Sequence, residues 1–530
     1  MRSENGPGSD LGITGMGFKV VTVVPGAFNI DVPAAMLEGG AVDTCLNMDF
    51  VHGVPRALSA IASLTTPLGA PVCLQFFEDS LGNKKYGYGH AGGFAVWNGT
   101  ANASVMPASG LTGSRYWSAD AFGSWLVCTN DKANEKPHAM LASSAVLSPL
   151  PGWQAGWDCT VIATHRNVLF AANMVEGGVT YSNRLRWSSS SITTGLPQEW
   201  VVTSSNDAGM VDLEIPGGDI TNLVAFGDSL YVAGAGAIWV GRWQGGAYTY
   251  QFESRTIEFA PRGLRCMVSI GDALAVLTRN DLVLFDDQTH KSLMQGRVSS
   301  VFNWMGRAML LWIEAARQLY VMYGEPNGTG FTKALIWDRA TDSWGTRDFG
   351  QEFTAFGKGL TPNLGGSPPG SLIWSAASAT WAAITGTWQG VRQFASGPAP
   401  VPGAIDTDPE TDLYLAANAS MIGKAGGVSY SWAVGRSTLP MPHGEDWRCR
   451  SLEVDVQADA GSLIALRLGS TEYPGESINW GDERTYEVGA GPVRHDDRQR
   501  GRYIAWQASG ASAARITGVR LSFRTVRTKP

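Results

Sequence analysis

The chain has 530 residues, 44% hydrophobic and 16% charged, with 65 glycines and 20 tryptophans. That balance supplies a large core but excludes a mainly helical fold, because glycine costs about 1 kcal/mol at an interior helix site and aromatics favour pleated, half-buried surfaces. The formal net charge is −7 and the densest basic cluster, Arg494 to Arg502, is broken by Asp496 and Asp497, so no basic stripe grips nucleic acid through its phosphates.

Residues 1–60 are poorly periodic, with one apolar run from Phe18 to Val24, and read as an arm that packs on other elements. The N-terminus has no apolar core of a secretory signal. No apolar run approaches the ~20 residues of a membrane span. The expectation is a soluble chain made in a cytoplasm. Cys45, Cys73, Cys128, Cys159, Cys266 and Cys449 form no CxxC pair, which argues against a zinc ribbon and for free thiols in a reducing compartment. The N-x-S/T sites at Asn98, Asn102, Asn327 and Asn418 then read as chance matches.

From about residue 60 to 350 one pattern recurs: a short turn, an apolar strand, and often a second turn and strand. Turns at Gly123, Arg166, Gly227, Gly271 and Gly306 are spaced 43, 61, 44 and 35 residues apart, each leading into an apolar run such as Leu230 to Ala233 or Met309 to Ile313. Repeats of ~40–50 residues holding four strands are the mark of propeller blades. One such sheet cannot bury both of its faces, whereas a ring of them can. Irregular hairpins in a sandwich remain the rival arrangement. The expected fold is therefore all-β: a β-propeller of about six blades over 61–395, preceded by the arm.

Residues 361–372 and 396–410 are rich in proline and glycine and read as linkers, the second separating the ring from a C-terminal β unit. Between them Trp374, Trp381 and Trp388 stand seven apart, but Ser, Thr and Gly fill the gaps, so a coiled coil does not fit. Residues 411–530 hold alternating strands (Leu452 to Val456, Leu463 to Leu468, Tyr503 to Gln507, Ile516 to Arg524), expected to form a small β-sandwich.

No motif for chemistry emerges. The P-loop, nucleophile elbow, HExxH and zinc-deaminase patterns are absent, and seven histidines are scattered without metal-ligand spacing. Ser205-Asn206-Asp207-Ala208-Gly209 matches half of a sialidase Asp box, and Ser118-Ala119-Asp120 is one residue out of step. Both read as turn residues. Gly234-Ala235-Gly236 lies between two strands and opens no helix, so it is a hairpin turn. The expectation is no catalytic site, no cofactor and no metal. The alternative is a propeller that binds or hydrolyses glycans, which would need two placed carboxylates for hydrolysis.

Four stretches together resemble the tail nozzle or hub proteins of short-tailed bacteriophages, the tail tubular and packaged-DNA stabilisation proteins. They are Leu37 to Arg56; Asn183-Arg184-Leu185-Arg186-Trp187-Ser188 with Trp200, Asp212-Leu213 and Gly218-Asp219-Ile220; Leu223 to Trp239, with Gly227, Asp228 and Trp239; and the tryptophan run with the closing Arg500 to Gly510 and Arg515 to Arg524. The blade spacing of 61 residues departs from the family pattern. The resemblance implies a virion protein of the tail, assembled in the bacterial host cytoplasm. It implies a homo-oligomeric ring of six copies below the portal and adaptor, in contact with tail fibres or spikes. Genomic DNA would pass through its lumen without sequence-specific binding, aided by an acidic lining that repels phosphates. In this reading Asn183, Arg184, Arg186, Trp187, Gly227, Asp228 and Trp239 are structural, with the two arginines outward and Leu185 and Trp187 inward.

Overall fold

The computed structural model describes residues 18–359, 412–417, 421–429, 431–440 and 447–525, apart from positions 24, 38–39, 52, 79–83, 100, 192–194, 246–248, 288 and 315. Both proline-rich linkers and Trp374, Trp381 and Trp388 lie outside the described residues.

Short apolar runs joined by tight turns fold as antiparallel meanders. Six follow one another along the chain. Blade 1 is Pro71–Glu78, Lys84–His90, Gly93–Trp97 and Asn102–Ser104. Blade 2 is Trp117–Phe122, Trp125–Asn130, His138–Leu141 and Ser148–Pro149. Blade 3 is Trp157–His165, Val168–Glu176, Val179–Trp187 and Gly209–Asp212. Blade 4 is Ile220–Phe226, Ser229–Gly234, Ile238–Trp243 and Tyr250–Thr256. Blade 5 is Met267–Ser269, Leu274–Leu277, Leu282–Phe285 and His290–Ser292. Blade 6 is Ala308–Ile313, Gln318–Tyr323, Phe331–Asp338 and the first part of Ser343–Gly359.

Six sheets are local meanders, and a seventh closes the ring, so the ring has seven blades against the expected six or so. The far part of Ser343–Gly359 turns inward and pairs with Asp412–Ala417, Asp412–Ala417 with Met421–Ser429, and Met421–Ser429 with Ser59–Thr65. Its outermost strand thus comes from the N-terminal side of blade 1 and its inner three from the C-terminal side of blade 6. Two strands that the sequence placed in the C-terminal unit, Asp412–Ala417 and Met421–Ser429, belong to the ring. The ring strands end at Ser429 and the sandwich begins at Trp432, beyond the 396–410 segment. The reason is pairing: the two inner strands 412–417 and 421–429 need partners that only the ring supplies.

Blades bury both faces against their neighbours. Phe170, Leu185 and Trp187 of blade 3 pack on Leu230, Val232 and Tyr250 of blade 4. Tyr231 and Val240 of blade 4 pack on Leu274, Val276 and Phe285 of blade 5. At the closure Ala355 of blade 7 joins Leu74, Tyr86, Tyr88 and Trp97 of blade 1. Gly357 lies so close to blade 1 that a Cβ would stand 2.9 Å from the Leu74 carbonyl oxygen and side chain.

Beyond the ring, two sheets form a sandwich. In one, Trp447–Ala458 pairs with Arg494–Arg500 and Ala514–Thr525, and Ala514–Thr525 pairs with Phe18–Val23. In the other, Leu463–Thr471 pairs with Tyr503–Gly510, Tyr503–Gly510 with Trp432–Pro440, and Trp432–Pro440 with Thr44–Leu46. Leu452, Val454, Val519, Leu521 and Phe523 meet Ile464, Leu466, Leu468, Ile504 and Trp506 in one core, which runs on through Met48 and Phe50 into Trp312, Trp337 and Trp344 of blade 6. The arm therefore contributes a strand to each sandwich sheet. Its hairpin Met48–Val51/Val54–Ala57 bridges Thr346 of blade 6 to the sandwich at Arg515.

Candidate functional site

The innermost strands of all seven sheets surround a channel of about 800 Å³. Those strands run parallel. Thr164 near the end of its strand donates to Asp120 from N (2.7 Å) and Oγ1 (2.9 Å), while Leu310 near the start of its strand donates to the Arg265 carbonyl (2.9 Å). The channel thus has an entry end, where the strands begin, and an exit end.

The two ends differ in charge. Arg115, Arg262, Arg265 and Arg307 line the entry, each just ahead of the innermost strand of blade 2, 5, 5 and 6 respectively. Asp120, Glu314 and Lys358 lie toward the exit. None of the four arginines pairs with a carboxylate among the described residues, and Arg115 is exposed without a hydrogen-bond partner. Arg262 donates from Nη2 to the carbonyls of Trp304 (3.0 Å) and Gly306 (2.8 Å), while its Nη1 is buried with no partner. Arg307 donates to the Thr329 carbonyl and sits 5.8 Å from the Phe331 ring centre.

Arg265 has a left-handed backbone, φ 57. Its side chain leaves blade 5 and crosses the channel, bringing Nη1 to 3.4 Å from the Val72 carbonyl of blade 1. It stands beside the Cys73 thiol and the Tyr116 hydroxyl. Burial pushes both groups up, Tyr116 to about 12, and the guanidinium opposes that shift. At the other end burial raises the Asp120 carboxyl against its hydrogen bonds from Thr164 and Ala121.

Asn183, Arg184, Arg186, Trp187, Gly227, Asp228 and Trp239 lie away from the channel. Asn183 and Leu213 exchange hydrogen bonds, Asn183 Nδ2 donating to the Leu213 carbonyl (2.9 Å) and the Leu213 amide to the Asn183 carbonyl (3.0 Å). Leu185 and Trp187 point into the core shared with blade 4, as expected. Arg184 and Arg186 point the other way, but not into solvent: their side chains are 12% and 7% exposed. In a ring both faces of a blade are covered, so alternation along a strand does not separate core from water. Arg184 grips Glu176 (3.0 Å) and Asp212 (2.7 Å) over the Tyr181 ring, and Arg186 grips Glu176 (2.6 Å) over the Trp157 ring. Gly227 turns the blade 4 hairpin at φ 58, leaving Asp228 exposed to bind Arg166 of blade 3 at 3.0 Å. Trp239 Nε1 donates to the Glu214 carbonyl (3.3 Å). Trp187 and Asp228 join blade 3 to blade 4, while Arg184 and Arg186 tie strands within blade 3.

Asp207, in the half-matching Asp box, accepts from the Ser190 amide (2.9 Å) and caps a turn. The acidic lining expected of a DNA conduit is not found in this channel. Sequence reasoning missed the arginines because they are far apart in the chain. Their common signal is an arginine one or two residues ahead of an innermost strand (Arg115 before Trp117, Arg265 before Met267, Arg307 before Ala308), legible only once blade register is known. Among the described residues no group of three His, Cys, Asp or Glu could hold a metal ion, and no helix is long and apolar enough to cross a membrane.

No protein-family model matches the chain, and no curated protein matches it. Among solved structures it is similar to the WD40 β-propeller domain of Doa1, at 10% identity and TM-score 0.39, covering 69% of this chain and 96% of that one. It is also similar to YCF48 bound to D1 peptide, at 9% identity and TM-score 0.36, covering 69% and 94%. A puromycin hydrolase is similar at 14% identity and TM-score 0.35, covering 52% and 46%. At such scores these likenesses carry nothing about function, and the propeller rests on its own strand pairing.

Proposed function

We propose that the chain is a non-enzymatic structural subunit: the tail nozzle or hub protein of a short-tailed bacteriophage virion. Six copies would form a ring below portal and adaptor, retain the packaged genome and pass it during ejection. The observation that supports this reading most directly is where the resembling residues lie. Within Leu37 to Arg56 the hairpin Met48–Val51/Val54–Ala57 links ring to sandwich, Arg184 and Arg186 tie the strands of blade 3, and Asp228 ties blade 4 to blade 3. Of the described resembling residues only Leu223 and Val224 line the channel, so most of the shared residues serve architecture. Arg265 crosses the propeller's own channel, so a conduit for DNA would have to run between copies. A closed heterologous ring makes such a conduit without any two-fold patch.

The test is assembly. Native mass spectrometry and negative-stain imaging of the full chain, alone and with portal and adaptor, should show a ring. Capsids made without the chain should lose their DNA. A single-chain mass together with saturable glycan binding or cleavage would favour the alternative of a glycan-binding or glycan-hydrolysing propeller. Hydrolysis there would fall to Asp120 and Glu314, the two carboxylates that line the channel.

A further inference from the structure

Four arginines at one mouth with no acid between them are unusual in this molecule. Several of its other arginines are matched by acids: Arg242 and Arg255 by Asp287, Arg297 by Asp342, Arg339 by Asp272. The chain carries a net charge of −7, so the entry mouth is not part of a general basic surface. Asp131 faces Tyr116 and already accepts from the Ser114 hydroxyl, and Glu352, beside Arg307's acceptor Thr329, accepts from the Thr329 hydroxyl at 3.1 Å. Asp120 is occupied by Thr164 and, with Glu314, lies toward the far end.

Like charges gathered in a cavity repel, and a buried guanidinium nitrogen with no acceptor is costly. An anion with several oxygens relieves the repulsion. Guanidinium forks match carboxylate and phosphate groups with two parallel hydrogen bonds. The channel volume, about 800 Å³, falls within the range of small-ligand sites. Because Arg265 spans the channel, a ligand would enter from the arginine side and stop there.

We propose that the entry mouth of the channel binds a small polyvalent oxyanion, engaged by Arg115, Arg262, Arg265 and Arg307. The shared ligand chemistry is two or more anionic oxygen groups on one small molecule, from a polyphosphate or a polycarboxylate. This site does not depend on ring assembly: a monomer could bind the anion, and a hexamer could fail to.

The experiment is calorimetric titration and thermal melting of the full chain with pyrophosphate, citrate and inorganic phosphate, each against sodium chloride of equal ionic strength. The expected result is saturable binding of one anion per chain with a raised melting temperature. Binding of pyrophosphate alone names the phosphate source; binding of citrate alone names the carboxylate source. Arg115→Gln and Arg307→Gln should each weaken binding on the order of tenfold, the loss of one charged hydrogen-bonded contact. Lys358→Gln, toward the other end, should leave it unchanged. Arg115 is exposed and makes no hydrogen bond among the described residues, so its variant folds and decides the matter even if Arg307→Gln does not. No saturable signal above the salt control, or equal affinity in parent and Arg115→Gln, overturns the proposal.

Discussion

Asp49 is buried where ring, arm and sandwich meet, and three bonds hold it. Arg56 donates from Nε at 3.1 Å and Nη2 at 2.8 Å, and Gln318 of blade 6 donates at 2.8 Å. Removing one partner of a buried ion pair strands the other. Asp49→Ala should therefore lower the unfolding free energy by about 3 kcal/mol, read from urea titration. Asp342 offers a pH handle. Burial pushes its carboxyl up, but Arg297, Trp337 and Lys291 outweigh this and hold it at about 2, against an ordinary 3.8. A carboxyl lowered in the folded state contributes stability above its unfolded value, and that contribution is lost as pH falls through the folded value. Between pH 3.8 and about 2 the parent should lose stability more steeply than Asp342→Asn, measured by urea midpoints across that range. His165 marks the opposite case. Burial and then the Arg166 charge lower it to about 4, and its Nδ1 meets the Tyr250 hydroxyl at 2.8 Å, so it is a neutral core residue near neutral pH. Scattered spacing had already set this histidine apart from metal ligands. Its partner Tyr250, 85 positions away, could not be read from the chain.

At the scale of elements, the meanders of blades 2 to 6 were legible because each is local: a short turn, then an apolar run. Gly123, Arg166 and Gly227 all have positive φ, at 56, 54 and 58. The strand alternation in Ile516 to Arg524 likewise foretold a sandwich strand, with Ile516, Val519, Leu521 and Phe523 in the core. The seventh sheet was not legible, because its partners are separated by most of the chain and its strands carry no turn signal of their own. Its tightest joint is Gly357 against Leu74. Gly357→Val would drive a branched side chain into backbone and should cost about 1–3 kcal/mol. Hydrogen exchange should report the loss first in Ser59–Thr65 and Met421–Ser429, ahead of blades 2 to 5.

At the scale of the whole molecule, the arm is a structural strap rather than an appendage. It supplies the last strand of the ring, a strand to each sandwich sheet and the hairpin between them. A chain lacking residues 18–65 should thus fail as a unit. Limited proteolysis should cut both ring and sandwich, and circular dichroism should show no cooperative melt. Loss of the sandwich alone, with the ring intact, would contradict this coupling.

The same closure orders the events of synthesis. Ser59–Thr65 leaves the ribosome early, but its partner Met421–Ser429 emerges after some 350 further residues. Until then the nascent chain holds a waiting strand and a split circle with two open edges, the kind of surface on which aggregation starts. Translation that halts anywhere before Ser429 leaves a horseshoe, so chaperone protection should be needed most while residues between blade 1 and Ser429 are being made.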